Sequence, residues 1–410
     1  MASVRVEEIE EGIHLLRVDD PYTGFFEALW EIPEGITYNA YLIRTQEGAV
    51  LVDGWKEAFA SRLVEELESL VEPGELRYIV LNHLEPDHTG SLPAVARWAP
   101  GARILATGHA ARMLRESMQW LGDRVRVVRD GEALELGGER LVFIHTPWLH
   151  WPETMVTWLP GRRVLMSCDV FGGYGIPLGV FDDECTRPGE ALRSLKKYVV
   201  TVIGHYRQWI ARGLSKLREA GVEPRVIAPG HGLLWRSNVA AVVEAYRRLA
   251  AGEPEEGKVL VLYASMYGSM EMLARSLACS LARRGLRPVL YGYTDTRRPS
   301  LSELLTDAAE AEALVVLAPT YEAGVFPLLR WALEEICWKT GGEGRKAVVV
   351  AGYGWGGATG RELEKTLRGC GYRVEAVLEH RGAHPASMTP GELRRLAEEA
   401  ASALQRGQRG

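Results

Sequence analysis

The chain has 410 residues, enough for two or three domains that each bury a core of their own. Apolar residues make up 47%, charged residues 25%, and the net charge is −6, an ordinary globular balance that argues against a nucleic-acid surface. No apolar run is long enough to span a bilayer and the opening MASVRVEEIEEG holds no apolar signal core, so a cytoplasmic protein without membrane contact is expected. The cysteines Cys168, Cys185, Cys279, Cys337 and Cys370 form no CxxC pair. Neither a zinc-ribbon or rubredoxin-like module nor a disulfide framework is therefore expected.

The N-terminal part reads as strands and turns. Residues 12–18 alternate, and 39–43 with 49–52 are predicted to form a hairpin turned at Glu47-Gly48. Asp53 follows, where a carboxylate can support a site from behind. Residues 57–70 place Phe59, Leu63, Leu67 and Leu70 at helical spacing. A short buried strand at 78–81 leads into His83-Leu84-Glu85-Pro86-Asp87-His88, in which two imidazoles and two carboxylates can ligate metal. Pro86 disfavours helix at Glu85, so these groups are predicted to fan out from a loop at a strand end. A strand at 103–106 and a helix at about 110–120 follow. The strand at 140–145 runs into a second histidine loop, which carries His150. Strands at 155–159 and 163–167 pair across Pro160-Gly161, with Asp169 just beyond. Residues 172–175, Gly-Gly-Tyr-Gly, read as a mobile loop, and helices run on to about Ala220. A strand at 225–228 ends in Pro229-Gly230-His231-Gly232, and a helix at 238–249 closes this half.

Residues 253–257, short, polar and containing Gly and Pro, are read as a linker between domains at 1–252 and 258–410. Beyond it, buried-type strands at 258–263, 287–291, 313–317, 346–351 and 373–378 alternate with helices, the pattern of a doubly wound parallel sheet. Ser265-Met266-Tyr267-Gly268-Ser269-Met270 opens a helix after the first of these strands and offers amides and hydroxyls to an anion. It is not a GxxxxGK[ST] loop, which argues against a nucleoside triphosphate. Pro319-Thr320-Tyr321-Glu322-Ala323-Gly324 and Gly352-Tyr353-Gly354-Trp355-Gly356-Gly357 end the third and fourth strands. The latter matches GxGxxG, with Glu375 about twenty residues on. It lies late in the domain with an aromatic residue in the turn, which weighs against NAD.

His83, Glu85, Asp87, His88, His150, Asp169 and His231 make four nitrogen and three carboxylate ligands, with no thiolate. That is too many for one tetrahedral zinc ion and suits two metals sharing a bridging carboxylate. Oxygen-rich mixed sets favour iron or manganese. The HxExDH loop with His150, Asp169 and His231, ahead of a doubly wound half, resembles the flavodiiron proteins (A-type flavoproteins). The resemblance implies a metallo-β-lactamase-like αββα sandwich followed by a flavodoxin-like domain. It further implies one iron on His83, Glu85 and His150, a second on Asp87, His88 and His231, and Asp169 bridging them. Zinc-dependent hydrolytic relatives usually carry histidine where Glu85 stands. The 265–270 loop resembles the flavodoxin phosphate loop, with Ser265 and Met270 where threonines are usual. The loops at 319–324 and 352–357 would then hold the ring of FMN, with Tyr321, Tyr353 and Trp355 packed on it.

The activity implied is reduction of dioxygen to water, of nitric oxide to nitrous oxide, or both, in a head-to-tail homodimer or tetramer. Electrons would come from a separate donor such as rubredoxin or reduced coenzyme F420. Two other readings are weighed: a binuclear-zinc hydrolase with an accessory flavodoxin domain, opposed by Glu85, and a pure electron carrier, opposed by the complete ligand set. Of the remaining histidines, His14, His109, His380 and His384 read as surface or loop groups and His145 as a packed strand end. His205 reads as structural, with pocket lining the alternative. Residues 25–30 have no assigned role.

Overall fold

The structure, a computed structural model, describes residues 2–382 and 385–405; His384 lies outside the described residues. Two compact units divide the chain, Met1–Ala251 and Gly252–Gly410. Among the described residues no helix is long and apolar enough to cross a membrane.

The first unit is built on two sheets. One contains β1 (Ser3–Glu10), β2 (Ile13–Asp20), β3 (Ile36–Thr45), β4 (Gly48–Val52), β5 (Leu76–Val80), β6 (Arg103–Ala106) and β7 (Val125–Val127), lying side by side in sequence order. The first four pair antiparallel, and β3 and β4 form the hairpin expected at Glu47-Gly48; from β4 onward the pairing is parallel. The other contains β8 (Ala133–Leu136), β9 (Glu139–His145), β10 (Met155–Leu159), β11 (Val164–Cys168) and β12 (Val226–Pro229), antiparallel except for the final β11–β12 pair. One apolar core joins them: Leu15, Tyr41, Val50 and Val80 from the first meet Leu141, Phe143, Met155 and Met166 from the second. Alternation sends these side chains inward, and each such burial contributes about 1.5–3 kcal/mol.

Three local expectations need correction. Residues 172–174 are buried, not a mobile loop: the Gly173 N–H donates to the His231 carbonyl, and the Tyr174 hydroxyl bonds Thr201. Pro86–Thr89 is a helical turn with Glu85 extended before it at ψ 142°. Proline is well suited to the first helical position because its missing N–H would have no partner there. His380 is buried on a strand and contacts Ser387 and Glu392, so it is not a surface group. His109 is exposed, and His145 ends β9 with its ring nitrogen near the Val128 carbonyl. His205 is exposed and stands apart from the metal-competent side chains.

The second unit contains β13 (Glu255–Ser265), β14 (Arg287–Thr294), β15 (Ala311–Tyr321), β16 (Lys346–Tyr353) and β17 (Arg373–Arg381), all parallel in the order β14-β13-β15-β16-β17. β13 starts at Glu255, inside the stretch read as a linker. Helix Ser269–Arg283 buries Leu273, Leu277 and Leu281, four residues apart, against Val261, Val315 and Val348. At the N-terminal end of the sheet, Lys258 Nζ is buried between Glu310 (2.6 Å) and Asp307 (2.9 Å).

A disulfide joins Cys337 to Cys370, with Cα atoms 5.3 Å apart, against the expectation of none. Spacing in sequence hides it, because the partners meet only when helices Pro327–Lys339 and Thr359–Gly369 pack on the sheet. The bridge spans 33 residues, for which loop-closure entropy suggests about 3–4 kcal/mol of stabilisation. Cys337→Ser is expected to lower the unfolding temperature of the second unit, and a reductant should lower it in the parent protein but not in the variant.

Candidate metal centre and cofactor loops

The metal-competent side chains converge because β5, β11 and β12 all end at one edge of the sandwich. β5 delivers His83 through Asn82, whose amide N–H and side-chain NH2 both donate to Asp53 (2.8 and 3.0 Å). Asp53 thus anchors the ligand loop from behind, as its position after β4 suggests. The helical turn after Glu85 then directs Asp87 and His88 inward, both buried. Thr89 secures that turn by donating to the Leu84 and Glu85 carbonyls. β11 delivers Asp169, β12 delivers His231, and the loop after β9 supplies His150.

All seven residues meet, in two groups that could each hold a metal ion: His83, Glu85, His150 and Asp169, and Asp87, His88 and His231; a third such group joins His88 and Asp169 to the buried Cys168. Asp169 lies between them. Its Oδ2 is 3.2 Å from His150 Nε2 and 3.4 Å from His83 Nε2, while its Oδ1 is 2.9 Å from His88 Nε2 and 3.4 Å from His231 Nε2. Glu85 Oε2 reaches His150 (2.9 Å) and His83 (3.2 Å), and Asp87 Oδ2 lies 3.4 Å from His231 Nε2.

Four buried atoms test whether cations fit. Both Asp87 carboxylate oxygens, Asp169 Oδ2 and His231 Nε2 have no hydrogen-bond partner among the described residues. Orphaned acceptors aimed at one another are costly unless something positive satisfies them. Burial by itself would lower the histidine pKa values, but the facing carboxylates outweigh it. His83 and His231 are raised to about 10, and His88 and His150 to about 9. Burial would likewise raise Glu85, yet His150 and His83 hold it at about 2. Asp169 is held well below the ordinary carboxylate range against its burial, chiefly by His88. The donor set is therefore one that demands positive charge, and its nitrogens and oxygens suit a transition metal.

Several supporting residues carry no sequence signal. His83 Nδ1 bonds Glu153 (2.8 Å), which also accepts from the Leu84 N–H, and His231 Nδ1 bonds the Thr37 carbonyl (2.7 Å). Each bond leaves Nε2 turned toward the cluster. The Tyr198 hydroxyl donates to Asp169 Oδ1 (2.8 Å). Gly230 is needed for close approach, since a Cβ there would sit 2.7 Å from His88 Cε1. Residues 25–30 form a small hairpin whose Phe26 ring packs on Tyr174, Tyr198 and His231. Glu153→Ala is expected to weaken metal binding about 10–100-fold; competition against a calibrated chelator measures it, and unchanged affinity would contradict the role given to Glu153.

In the second unit the three loops lie at the C-terminal ends of β13, β15 and β16, beside the point where strand order reverses. Ser265 Oγ accepts from the Gly268 and Glu271 N–H groups, and Gly268, at φ 90°, starts the helix. Met270 departs from the expectation: its side chain is buried in the core and approaches Gly352, so only its backbone can serve the loop. Glu322 and Ala323 turn β15 back on itself at φ 47° and 63°, a tight turn without its usual glycine. Thr359 Oγ1 ties that turn together through Thr320 Oγ1 and the Gly324 carbonyl. Tyr267, Tyr321 and Trp355 are exposed around these loops, and Tyr353 packs over Gly357. The GxGxxG match sits on the fourth strand, away from the β13 turn where a dinucleotide fingerprint belongs.

Comparison with known proteins follows the same division. A sequence model described as ODP family beta lactamase matches residues 36–232, and the Flavodoxin model matches residues 261–402. The nitric oxide reductase of Moorella thermoacetica is 28% identical over 90% of this chain and 91% of its own length. A flavo di-iron protein from Thermotoga maritima superposes with TM-score 0.90 at 39% identity over 99% of each chain. The rubredoxin oxygen:oxidoreductase from Desulfovibrio gigas gives TM-score 0.88 at 28% identity, over 98% of this chain and 99% of its own. Likeness of this extent, spanning both units at once, places the chain in the flavodiiron protein family.

Proposed function

We propose that this protein reduces dioxygen to water, nitric oxide to nitrous oxide, or both, at a pair of non-haem irons supplied with electrons through FMN. The observation that carries the reading is Asp169, a buried carboxylate with one oxygen toward each ligand group. In this reading His83, Glu85 and His150 would hold one iron and Asp87, His88 and His231 the other, with Asp169 offering a carboxylate to both. The loops at 265–270, 319–324 and 352–357 would hold FMN, the first offering backbone amides to its phosphate and the others the aromatic faces of Tyr321, Tyr353 and Trp355 to its ring. When bound, the iron pair would store two electrons and FMN would relay two more from the external donor.

Dioxygen needs four electrons and four protons to become two waters; joining two nitric oxide molecules needs two of each and releases one water. The chain's own part is positioning and exclusion. Glu153 and the Thr37 carbonyl fix the ring orientation of His83 and His231, Tyr198 holds Asp169, and Phe26 with Tyr174 shields that side from water. Glu85 in place of histidine adds negative charge, which favours the ferric state. A head-to-tail homodimer or tetramer, a cytoplasmic address and a separate donor, rubredoxin or reduced coenzyme F420, belong to the same proposal. The exposed Tyr22 and Phe25, on and beside the hairpin that reaches His231, offer apolar surface for such assembly.

The test is to reduce the protein anaerobically, with iron and flavin quantified, and then to admit each gas. Two irons and one FMN per chain, with prompt flavin reoxidation and formation of water or nitrous oxide, are expected. Full iron and flavin with no reoxidation by either gas would sink the reading. Two zinc ions with ester hydrolysis would establish the hydrolase instead.

A further inference from the structure

Helices Arg207–Glu219 and Val239–Ala251 lie beside β11 and β12 and leave a cleft of about 560 Å³. Its deepest lining residues are Leu165, Phe171 and Ile227, each no more than 1% exposed, and Leu214, Leu217 and Val243 line it further. Ser215 carries the one hydroxyl among the lining side chains. Charge is confined to exposed side chains at the rim, Arg218 and the Glu244–Arg247 pair, which is joined at 2.8 Å.

Phe171 connects this cleft to the metal centre. It stands two residues after Asp169, in a turn closed by the Gly172 N–H on the Asp169 carbonyl (3.0 Å). The Asp169 side chain faces the histidines, and the Phe171 side chain lines the cleft. The same turn backs onto His231, since a Cβ on Gly172 would lie 3.6 Å from His231 Cβ. Phe171 also has φ 70°, a conformation rare for a bulky side chain and kept only where its surroundings enforce it. Here its N–H donates to the Tyr246 hydroxyl (2.5 Å), its carbonyl accepts from Trp235 Nε1 (2.9 Å), and its ring packs on Tyr246 at 4.6 Å. Two hydrogen bonds from tertiary neighbours thus hold one aromatic ring between an apolar cleft and a carboxylate of the metal centre.

We infer that this cleft is an entry and holding site for an apolar diatomic gas, with Phe171 as its inner wall. The inference rests on the gas-reducing function proposed above. Uncharged diatomics lose little on leaving water and collect against apolar walls, as xenon does, and the inner walls here offer water a single side-chain hydroxyl, on Ser215. Polar solutes would keep to the side of the centre where Glu85 is partly exposed.

Holoprotein crystals under xenon pressure are expected to show xenon against Leu165, Phe171 and Ile227; an empty cleft overturns the inference. In solution, Leu214→Trp fills the cleft, and Ala211→Trp narrows its exposed mouth without touching the core. Each should slow second-order reoxidation of the reduced holoprotein by dioxygen or nitric oxide about tenfold, with iron content, flavin content and the gas-saturated rate unchanged. An unaltered second-order rate in both variants overturns the route. Wild-type protein that binds xenon there but is reoxidised by neither gas would sink the functional reading, and the entry role with it. A reactive wild type without xenon would sink the cleft alone.

Discussion

Asp169→Ala is expected to strip iron from both positions and to slow gas-driven flavin reoxidation by on the order of 10²–10³ or more. The side chain is 1% exposed and meets His150 and His83 through one oxygen and His88 and His231 through the other. Truncation leaves four imidazoles crowded around a void, with Glu85 and Asp87 as the remaining carboxylates of the cluster. Histidine rings 4.8 to 5.8 Å apart by centroid, as His88 is from His231 and from His83, then lack the negative charge between them that makes the arrangement tolerable. FMN content should be unchanged, because the loops proposed to hold it belong to the other compact unit. Metal analysis by mass spectrometry beside stopped-flow absorbance checks both halves; two irons retained per chain would refute the bridging role.

Lys258→Ala should destabilise the second unit by about 3–5 kcal/mol, the usual cost of breaking a buried ion pair from one side. It removes the ammonium that Glu310 and Asp307, 6% and 5% exposed, both contact. For a domain of this size that corresponds to a fall of roughly 6–20 °C in its unfolding temperature, visible by calorimetry; a shift under about 2 °C would count against the argument. Burial lowers the Lys258 pKa, but Glu310 and Asp307 outweigh it, and the net displacement is upward. Because the folded value lies above the free-lysine value of about 10.4, the contribution is complete below that pH and is lost only as pH rises through the folded pKa. Neutral-range pH should not alter it.

Much of this centre is legible in the sequence for a physical reason. Metal ligands are chemically rare types placed at strand ends, and strands announce themselves by apolar runs, so His83, Asp169 and His231 stand out. The helix-turn at Pro86–Thr89 is harder, because the rule that proline disfavours helix before itself says nothing about the residues after it. Glu153, Thr37 and Tyr198 leave no mark at all. Their roles come from one or two hydrogen bonds each across the fold, and Thr37 reaches His231 through a backbone carbonyl that any residue could supply. The same holds for Cys337 and Cys370, whose pairing depends on how two helices pack. The burial of residues 172–174 misleads for the opposite reason: glycine-rich stretches serve loops and also tight backbone approaches, and here Gly172 and Gly173 fit against His231.

The side-by-side order of β1 to β7 has a consequence for how the protein comes to be. Each strand of that sheet pairs with the next one in the chain, so its loop closures are shorter than those that gather the metal-competent residues. The metal-competent residues are spread otherwise, from His83 to His231 and across both sheets. Nothing before residue 231 has been synthesised can complete the set, and no unfolded chain offers it. Ions that bind only the finished arrangement shift the folding equilibrium toward it, so they act as a clasp that closes only when both sheets have brought the set together.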